Sequence, residues 1–207
     1  VKHVVGNIRR EKNIIVNLNA IPIDDADTLN LFCEGDITYI YDKDDHAPKN
    51  LLRKLRPTSL SDLVAFFTAY EYYRHGIKEI MQKLLGRKKL SSSVRYDVLC
   101  MQNVLDETYG LYLYQEQYMI LSQRIAGFTP SQSDELRKAL CKKKIEKLKY
   151  LESLFLKGGV HHGYDIAILS KIWNDWKNDG LYSFNKSHTV CYTYMMYIAN
   201  YLQAHYM

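Results

Sequence analysis

The chain has 207 residues, 47% of them hydrophobic, and 28 Lys and Arg against 23 Asp and Glu, for a formal charge of +5. That is the make-up of a chain that buries a real core, as one domain or two small ones, and the uneven basic clusters favour an anionic partner. No run approaches the ~18–20 apolar residues of a membrane span, no apolar stretch marks a signal peptide, and Cys33, Cys100, Cys141 and Cys191 lack the paired spacing of a zinc site or a disulfide framework. A reducing, cytoplasmic setting without a membrane partner is expected. Val1 in place of Met and an unfinished helical pattern at His205-Tyr206-Met207 suggest a piece of a longer protein.

Taken in order, Val4, Val5 and Ile8 around Arg9-Arg10 read as the end of a helix running into a connector. Asp24, Asp25 and Asp27 are placed as caps and first-turn acids for a short helix through Leu29 and Phe32, stopped near Gly35. With no fourth ligand in view they are not read as a metal site. Residues 37–41 are β-prone and are followed by a polar loop to Pro48. Lys49 to Leu55 is a basic amphipathic helix, and Pro57 to Asp62 supplies a turn and cap for a helix through Leu63, Phe67 and Tyr70. A further helix from Ile77 is expected to end at Gly86, with Arg87, Lys88 and Lys89 beyond it. Those bases read equally as a helix C-terminal turn or as a nucleic-acid contact. Residues 90–95 form the one plausible connector, too short to prove a boundary, so a single domain is expected over 1–207.

Val98 to Leu105 has helical spacing, and Leu111-Tyr112-Leu113-Tyr114 alternates like a second short β element. Gln115 leads a helix to Gly127. Thr129-Pro130-Ser131-Gln132 is a sharp helix start, with a Thr cap, Pro at the first position and Gln at the third. Arg137, Lys138, Lys142, Lys143 and Lys144 then crowd into eight residues, more than a solvated face requires, and point to phosphate. A helix from Ile145 is expected to close at Gly158-Gly159, and another runs from Asp165 to Trp176. His161-His162 reads as a polar loop rather than a metal pair, because adjacent residues on regular structure point apart. The last helix carries Cys191, Tyr194, Met195, Ile198, Tyr201, Leu202 and His205 on one face, with Asn185 or Ser187 as its cap. At its start Phe184-Asn185-Lys186-Ser187-His188 combines amide, ammonium, hydroxyl and imidazole at a helix N-terminus, where an anion is easily held, although on these residues alone an ordinary capped helix with a solvated lysine is the commoner reading. The pattern is therefore mainly α. No P-loop, no G-x-G-x-x-G and no nucleophile motif is present.

The order of particular words carries a more specific resemblance. Glu107-Thr108-Tyr109-Gly110, Tyr114-Gln115-Glu116-Gln117, Ile125-Ala126-Gly127-Phe128, Leu136-Arg137-Lys138-Ala139, Lys142-Lys143-Lys144, Phe184-Asn185-Lys186-Ser187-His188, Tyr201-Leu202 and Ala204-His205-Tyr206 follow one another. Together they closely resemble the fingers region of the alpha (polymerase) subunit of bacterial DNA polymerase III, a C-family DNA polymerase. The likeness is dense from about Tyr96 to Tyr206 and stays in register upstream through Ala20-Ile21-Pro22, Leu55-Arg56-Pro57 and Asp62-Leu63-Val64-Ala65.

The resemblance implies a multi-helix fingers domain that binds an incoming deoxynucleotide triphosphate and primer–template DNA beside the remainder of the polymerase chain. The catalytic aspartates and their magnesium belong to a palm that this stretch does not contain, so it is expected to bind and not to catalyse alone. The implied nucleotide-binding residues are Arg137, Lys138, Lys142, Lys143, Asn185, Lys186, Ser187 and His188. Arg87, Lys88, Lys89 and Lys144 are assigned to DNA. Departures mark a divergent member: Glu71-Tyr72-Tyr73-Arg74-His75-Gly76 replaces an Arg-Pro-Gly-Pro element, Lys138 an arginine, and Cys141 and Ser183 two glycines. Arg to Lys is not a neutral change at a bidentate site. A second reading follows from those departures: a non-catalytic nucleic-acid-binding or protein-interaction module on the same helical scaffold.

Overall fold

A computed structural model describes residues 1–37, 46–90, 94–180 and 183–207. These residues form eleven α-helices and no strand, so the mainly helical expectation holds. The residues fall into two compact units, one made of Val1–Arg74 with Ser187–Met207 and the other of His75–Lys186.

In the first unit the sequence concentrates its apolar residues in α4 (Leu60–Arg74), where every residue from Asp62 to Tyr70 is buried. A helix that is apolar all round can only be an interior helix. Its start is fixed by a reciprocal cap. Ser59 Oγ accepts the Asp62 N–H at 3.1 Å, and the Asp62 carboxylate accepts the Thr58 N–H at 2.7 Å. The other members are α1 (Lys2–Lys12), α2 (Ala26–Glu34), α3 (Ala47–Leu55) and α11 (Lys186–Tyr206), whose first residue lies in the second unit. Asp25 caps α2 by accepting the Thr28 N–H at 2.8 Å, and its own N–H donates to the Tyr197 hydroxyl at 2.9 Å. Burial alone would push its carboxyl up, but hydrogen bonds from Thr28 and His205 outweigh this and hold it below the ordinary value.

The buried stripe of α11 differs from the expected one. Thr189, Thr193, Met196, Tyr197, Ile198, Asn200 and Leu202 are inside, whereas Cys191 and Met195 are exposed. Polar groups on this stripe are only partly engaged: Asn200 Nδ2 donates to Met196 O at 2.8 Å, and Tyr197 stacks on Phe32 while its hydroxyl accepts the Asp25 N–H, whereas Asn200 Oδ1 and Thr193 Oγ1 are buried without a hydrogen-bond partner among the described residues. The face follows the packing of the whole unit, which takes Thr193 and Asn200 inside, and not the count of apolar residues alone.

The second unit is built around α7 (Gln115–Ala126), which packs against α6 (Leu99–Leu105), α8 (Pro130–Cys141) and α9 (Ile145–His161). α5 (Lys78–Lys89) precedes these helices, and α10 (Ile166–Asp179) packs on α9. The core is aromatic: Phe155 lies 5.3 Å from Trp173 and 4.9 Å from Trp176 between ring centroids, and Tyr118 meets Trp176 edge-on at 5.8 Å. Such tilted and edge-on pairs match the ring quadrupoles and fix the helix angles. α8 begins as the sequence predicts, with Thr129 Oγ1 accepting the Gln132 N–H and the Gln132 side chain accepting the Thr129 N–H.

Two helix ends differ from expectation. α5 continues through Gly86 to Lys89, so Arg87, Lys88 and Lys89 form its last turn. α9 continues through Gly158-Gly159 to His161. Those glycines stand inside the helix because other groups come close. A Cβ at Gly158 would be 2.1 Å from Ala126 O, and one at Gly159 would be 2.5 Å from Leu169 Cδ2. They are the points where α7 and α10 touch the backbone of α9. The β element expected near 37–41 lies almost wholly outside the described residues. That at 111–114 is extended but forms only one isolated parallel bridge, Tyr114 to Phe184.

Gly158→Ala improves helix propensity yet places a methyl inside the Ala126 carbonyl, so it is expected to destabilise the second unit by about 2 kcal/mol or more. Urea unfolding followed by tryptophan fluorescence reads this directly, since Trp173 and Trp176 sit in that core. An unchanged midpoint would mean that α7 and α9 are not packed this closely.

Candidate functional site

The site is assembled in the second unit from the start of α7, the end of α8 and residues 183–186. The organising side chain is Gln117, whose amide is buried. Its Oε1 accepts the N–H groups of Leu113 at 2.8 Å and Tyr114 at 3.0 Å, and its Nε2 donates to Thr108 Oγ1 at 2.9 Å. Thr108 in turn donates to Leu111 O at 2.6 Å. The extended segment 111–114 is therefore tied to the 3₁₀ turn Asp106–Thr108 at one end and to α7 at the other. This leaves the next backbone groups free for residues 183–186. Phe184 N–H donates to Leu113 O at 3.0 Å, and Gln115 N–H to Phe184 O at 2.9 Å.

That pairing sets Asn185 and Lys186 beside two acids. The Lys186 N–H, at the start of α11, points to both oxygens of Glu116 at 3.1 Å each, and Asn185 Nδ2 donates to the same carboxylate at 3.2 Å. The Lys186 ammonium is held by Glu107 at 2.7 and 2.6 Å and lies 5.5 Å from the Tyr114 ring centroid. The expected anion-binding turn thus already carries two anions of the chain itself. Glu107 and Glu116 stand within the motifs Glu107-Thr108-Tyr109-Gly110 and Tyr114-Gln115-Glu116-Gln117, but no pattern in the sequence gives either a partner at residues 185–186. Ser187 and His188, also expected at the site, are exposed in the first turn of α11 and belong to the first unit.

Arg137 on α8 reaches the same network. Its Nε donates to Asp134 Oδ1 at 2.9 Å and its Nη1 to Gln115 Oε1 at 3.2 Å, while Gln115 Nε2 donates to Ser183 O at 2.9 Å. Lys138 pairs with Asp134 as well. The hydrogen bonds of Lys138 and Arg137 together hold the Asp134 carboxyl below its ordinary value. Cys141 and Ser183 meet each other, Sγ to Oγ at 3.9 Å.

The basic turn after α8 is different. Lys142, Lys143 and Lys144 are all exposed, and among the described residues no acid pairs with any of them. Lys143 has φ +50°, the left-handed conformation that helix ends usually give to glycine. The turn is closed by Lys143 N–H to Leu140 O at 3.3 Å and Lys144 N–H to Ala139 O at 3.1 Å. A lysine here bears a local strain of about 1 kcal/mol.

The bases at the end of α5 are mostly engaged. Arg87 Nη1 donates to Tyr109 O at 3.2 Å, and Lys88 Nζ to the Tyr109 hydroxyl at 3.2 Å. They brace Tyr109-Gly110, where a Cβ on Gly110 (φ +77°) would be 2.9 Å from Arg87 Nη1. Lys89 is exposed. Arg87 also lines a cavity of about 250 Å³ with Lys83, Tyr96, Asp97, Asp175 and Asp179. Burial pushes the Asp175 and Asp179 carboxyls up there, against the pull of Lys171 on Asp175 and of Lys83 on Asp179. Among the described residues no group of His, Cys, Asp or Glu is placed to hold a metal ion, and no helix is long and apolar enough to cross a membrane.

Residues 1–163 match the family described as the bacterial DNA polymerase III alpha subunit finger domain. The chain belongs to that family. It is 37% identical over 201 residues to the DNA polymerase III subunit alpha of Aquifex aeolicus, which covers 96% of this chain and 17% of that protein. It is 33% identical to the same subunit of Halalkalibacterium halodurans over 98% of the chain, and 32% identical to that of Bacillus subtilis over its whole length, in each case 18% of the relative. The finger domain here thus spans under a fifth of the relatives it matches. The turn Phe184–His188 lies beyond the family match, in a region that the alignment to the Bacillus subtilis subunit, running over all of the chain, still includes.

Lys143→Gly is expected to raise the unfolding free energy by about 1 kcal/mol, because it releases the left-handed strain at an exposed position. Thermal unfolding of the two proteins measures it. A lower melting temperature for the glycine variant would show that the lysine side chain contributes to the fold.

Proposed function

We propose that this finger domain binds an incoming deoxynucleotide triphosphate and primer–template DNA within a polymerase chain, as one finger-type domain built of two units. The observation that carries the reading is the turn Lys142–Lys144: three exposed ammonium groups without an acid partner among the described residues, presented by a backbone held in a strained conformation. Exposed lysines with no internal counter-charge suit a polyanionic phosphate backbone, and strain retained at such a place has its use there. Arg137, Lys138, Asn185 and Lys186 are read as the nucleotide-facing groups, with Ser187 and His188 on the following turn. Guanidinium and ammonium groups stabilise the charge that grows on a transferring phosphoryl group, and the metal ions and catalytic carboxylates of such a transfer would come from the remainder of the chain.

In this reading Arg87 and Lys88 act through Tyr109, shaping the turn before α7, while Lys89 and Lys144 are free to meet DNA phosphates. The alternative, a protein-interaction module on the same scaffold, draws on one observation: Arg87, Lys88, Arg137, Lys138 and Lys186 all have partners inside the protein.

Fluorescence anisotropy of a labelled primer–template over a salt series separates the two. Duplex affinity falls with a log–log slope of about 0.9 per phosphate neutralised. Replacing Lys142, Lys143 and Lys144 with alanine is expected to lower that slope by about 2–3. Lys186→Ala and Arg137→Ala are expected to keep the slope nearly unchanged but to lose the extra tightening given by the next correct nucleotide with magnesium. A slope indifferent to the triple substitution would contradict the proposal.

A further inference from the structure

An anion-ready helix start that already holds carboxylates poses a physical problem. Lys186 is gripped by both oxygens of Glu107 at 2.7 and 2.6 Å, and to an ammonium a carboxylate offers what a phosphate offers, paired anionic oxygens. The pair is reachable, since Lys186 and Glu107 side chains are 36% and 35% exposed. Its two ends are unequal. Glu107 sits on the 3₁₀ turn Asp106–Thr108, which the Thr108–Gln117 bond pins to α7, whereas Lys186 carries its charge on a flexible four-carbon stem. Glu116 holds the backbone N–H of Lys186 and so fixes where that stem begins.

We propose that Glu107 is an internal stand-in for phosphate: it parks the Lys186 ammonium in the nucleotide-free protein and is exchanged for a phosphate oxygen when a polyphosphate arrives. The inference rests on the nucleotide-facing role given to residues 184–188. In the exchange one ion pair breaks and one forms, with no covalent change. The ammonium rotates away from an acid whose backbone turn is pinned, while the Glu116 cap holds the backbone N–H at the start of α11. The parked pair lowers affinity for every anion by the same increment, so a ligand must bring other contacts to Arg137 and the basic turn to displace it. A polyphosphate has oxygens to spare for such contacts, so Glu107 sets a threshold for occupancy rather than a difference between anions.

The test is calorimetric titration of the chain with inorganic tripolyphosphate, comparing wild type, Glu107→Gln, Lys186→Ala and the double variant, with circular dichroism melts to confirm folding. Glu107→Gln is expected to bind about two- to fivefold more tightly, the range of a partly exposed ion pair. Lys186→Ala is expected to bind more weakly, and the gain from Glu107→Gln is expected to vanish in the Lys186→Ala background. A gain that persists there would be a general field effect and would overturn the exchange. So would a Glu107→Gln protein that binds as wild type does or more weakly, the last being the mark of an acid that merely orients Lys186. If binding does not depend on Lys186 at all, the nucleotide reading of this turn fails first and the exchange falls with it. Should Glu107→Gln not fold, Glu107→Asp keeps the charge but shortens the grip, and tightening in that variant is expected in the same direction.

Discussion

The site depends on one buried amide. Gln117 satisfies two consecutive backbone N–H groups and a buried threonine hydroxyl at once, and a side-chain amide can do this because it carries both acceptor and donor on one rigid plane. Without it, Leu113 and Tyr114 would bury unpaired donors, which costs more than the bonds themselves contribute. With it, a short extended segment is held at the head of α7 with its outer edge free, and Phe184 takes that edge. The start of α11 is tied to the head of α7 by this chain of contacts.

Charge is then distributed on that frame in two distinct ways. Around residues 183–186 and on α8 the cations face acids of the same unit: Lys186 faces Glu107, and Arg137 and Lys138 face Asp134. Such partly exposed pairs add little stability and are easily exchanged, which suits groups that hold a transient ligand. After α8 the three lysines face solvent. The first set is poised by competition and the second by plain excess charge. Under the proposed function the first set would meet a compact polyphosphate and the second an extended strand.

Much of this was legible in the residues. The Thr129-Pro130-Ser131-Gln132 start, the Asp25 cap and the α10 pattern are local chemistry, and they appear where the sequence puts them. The misplacements have tertiary causes. Gly158-Gly159 looked like a helix end because glycine is a poor helix former, yet their reason is the approach of the Ala126 carbonyl and the Leu169 side chain from elements more than eight residues away. Gly86 was misread in the same way, although no such close approach accounts for it. The buried face of α11 was displaced because Thr193 and Asn200 are inside it, and hydropathy does not score a polar residue that the fold accommodates. For the site, the basic residues were visible and their counter-charges were not: Glu107 lies 79 residues before Lys186, and no spacing rule joins them.

The central claim is that Gln117 places the 183–186 turn, and hydrogen exchange of individual amides tests it most directly. The Leu113, Tyr114 and Phe184 amides should exchange slowly in the wild-type chain, and in Gln117→Leu all three should become fast together while the α7 amides beyond its first turn stay protected. Loss of protection at Leu113 and Tyr114 with Phe184 still slow would contradict the account, since the turn would then be held by something other than the segment that Gln117 organises.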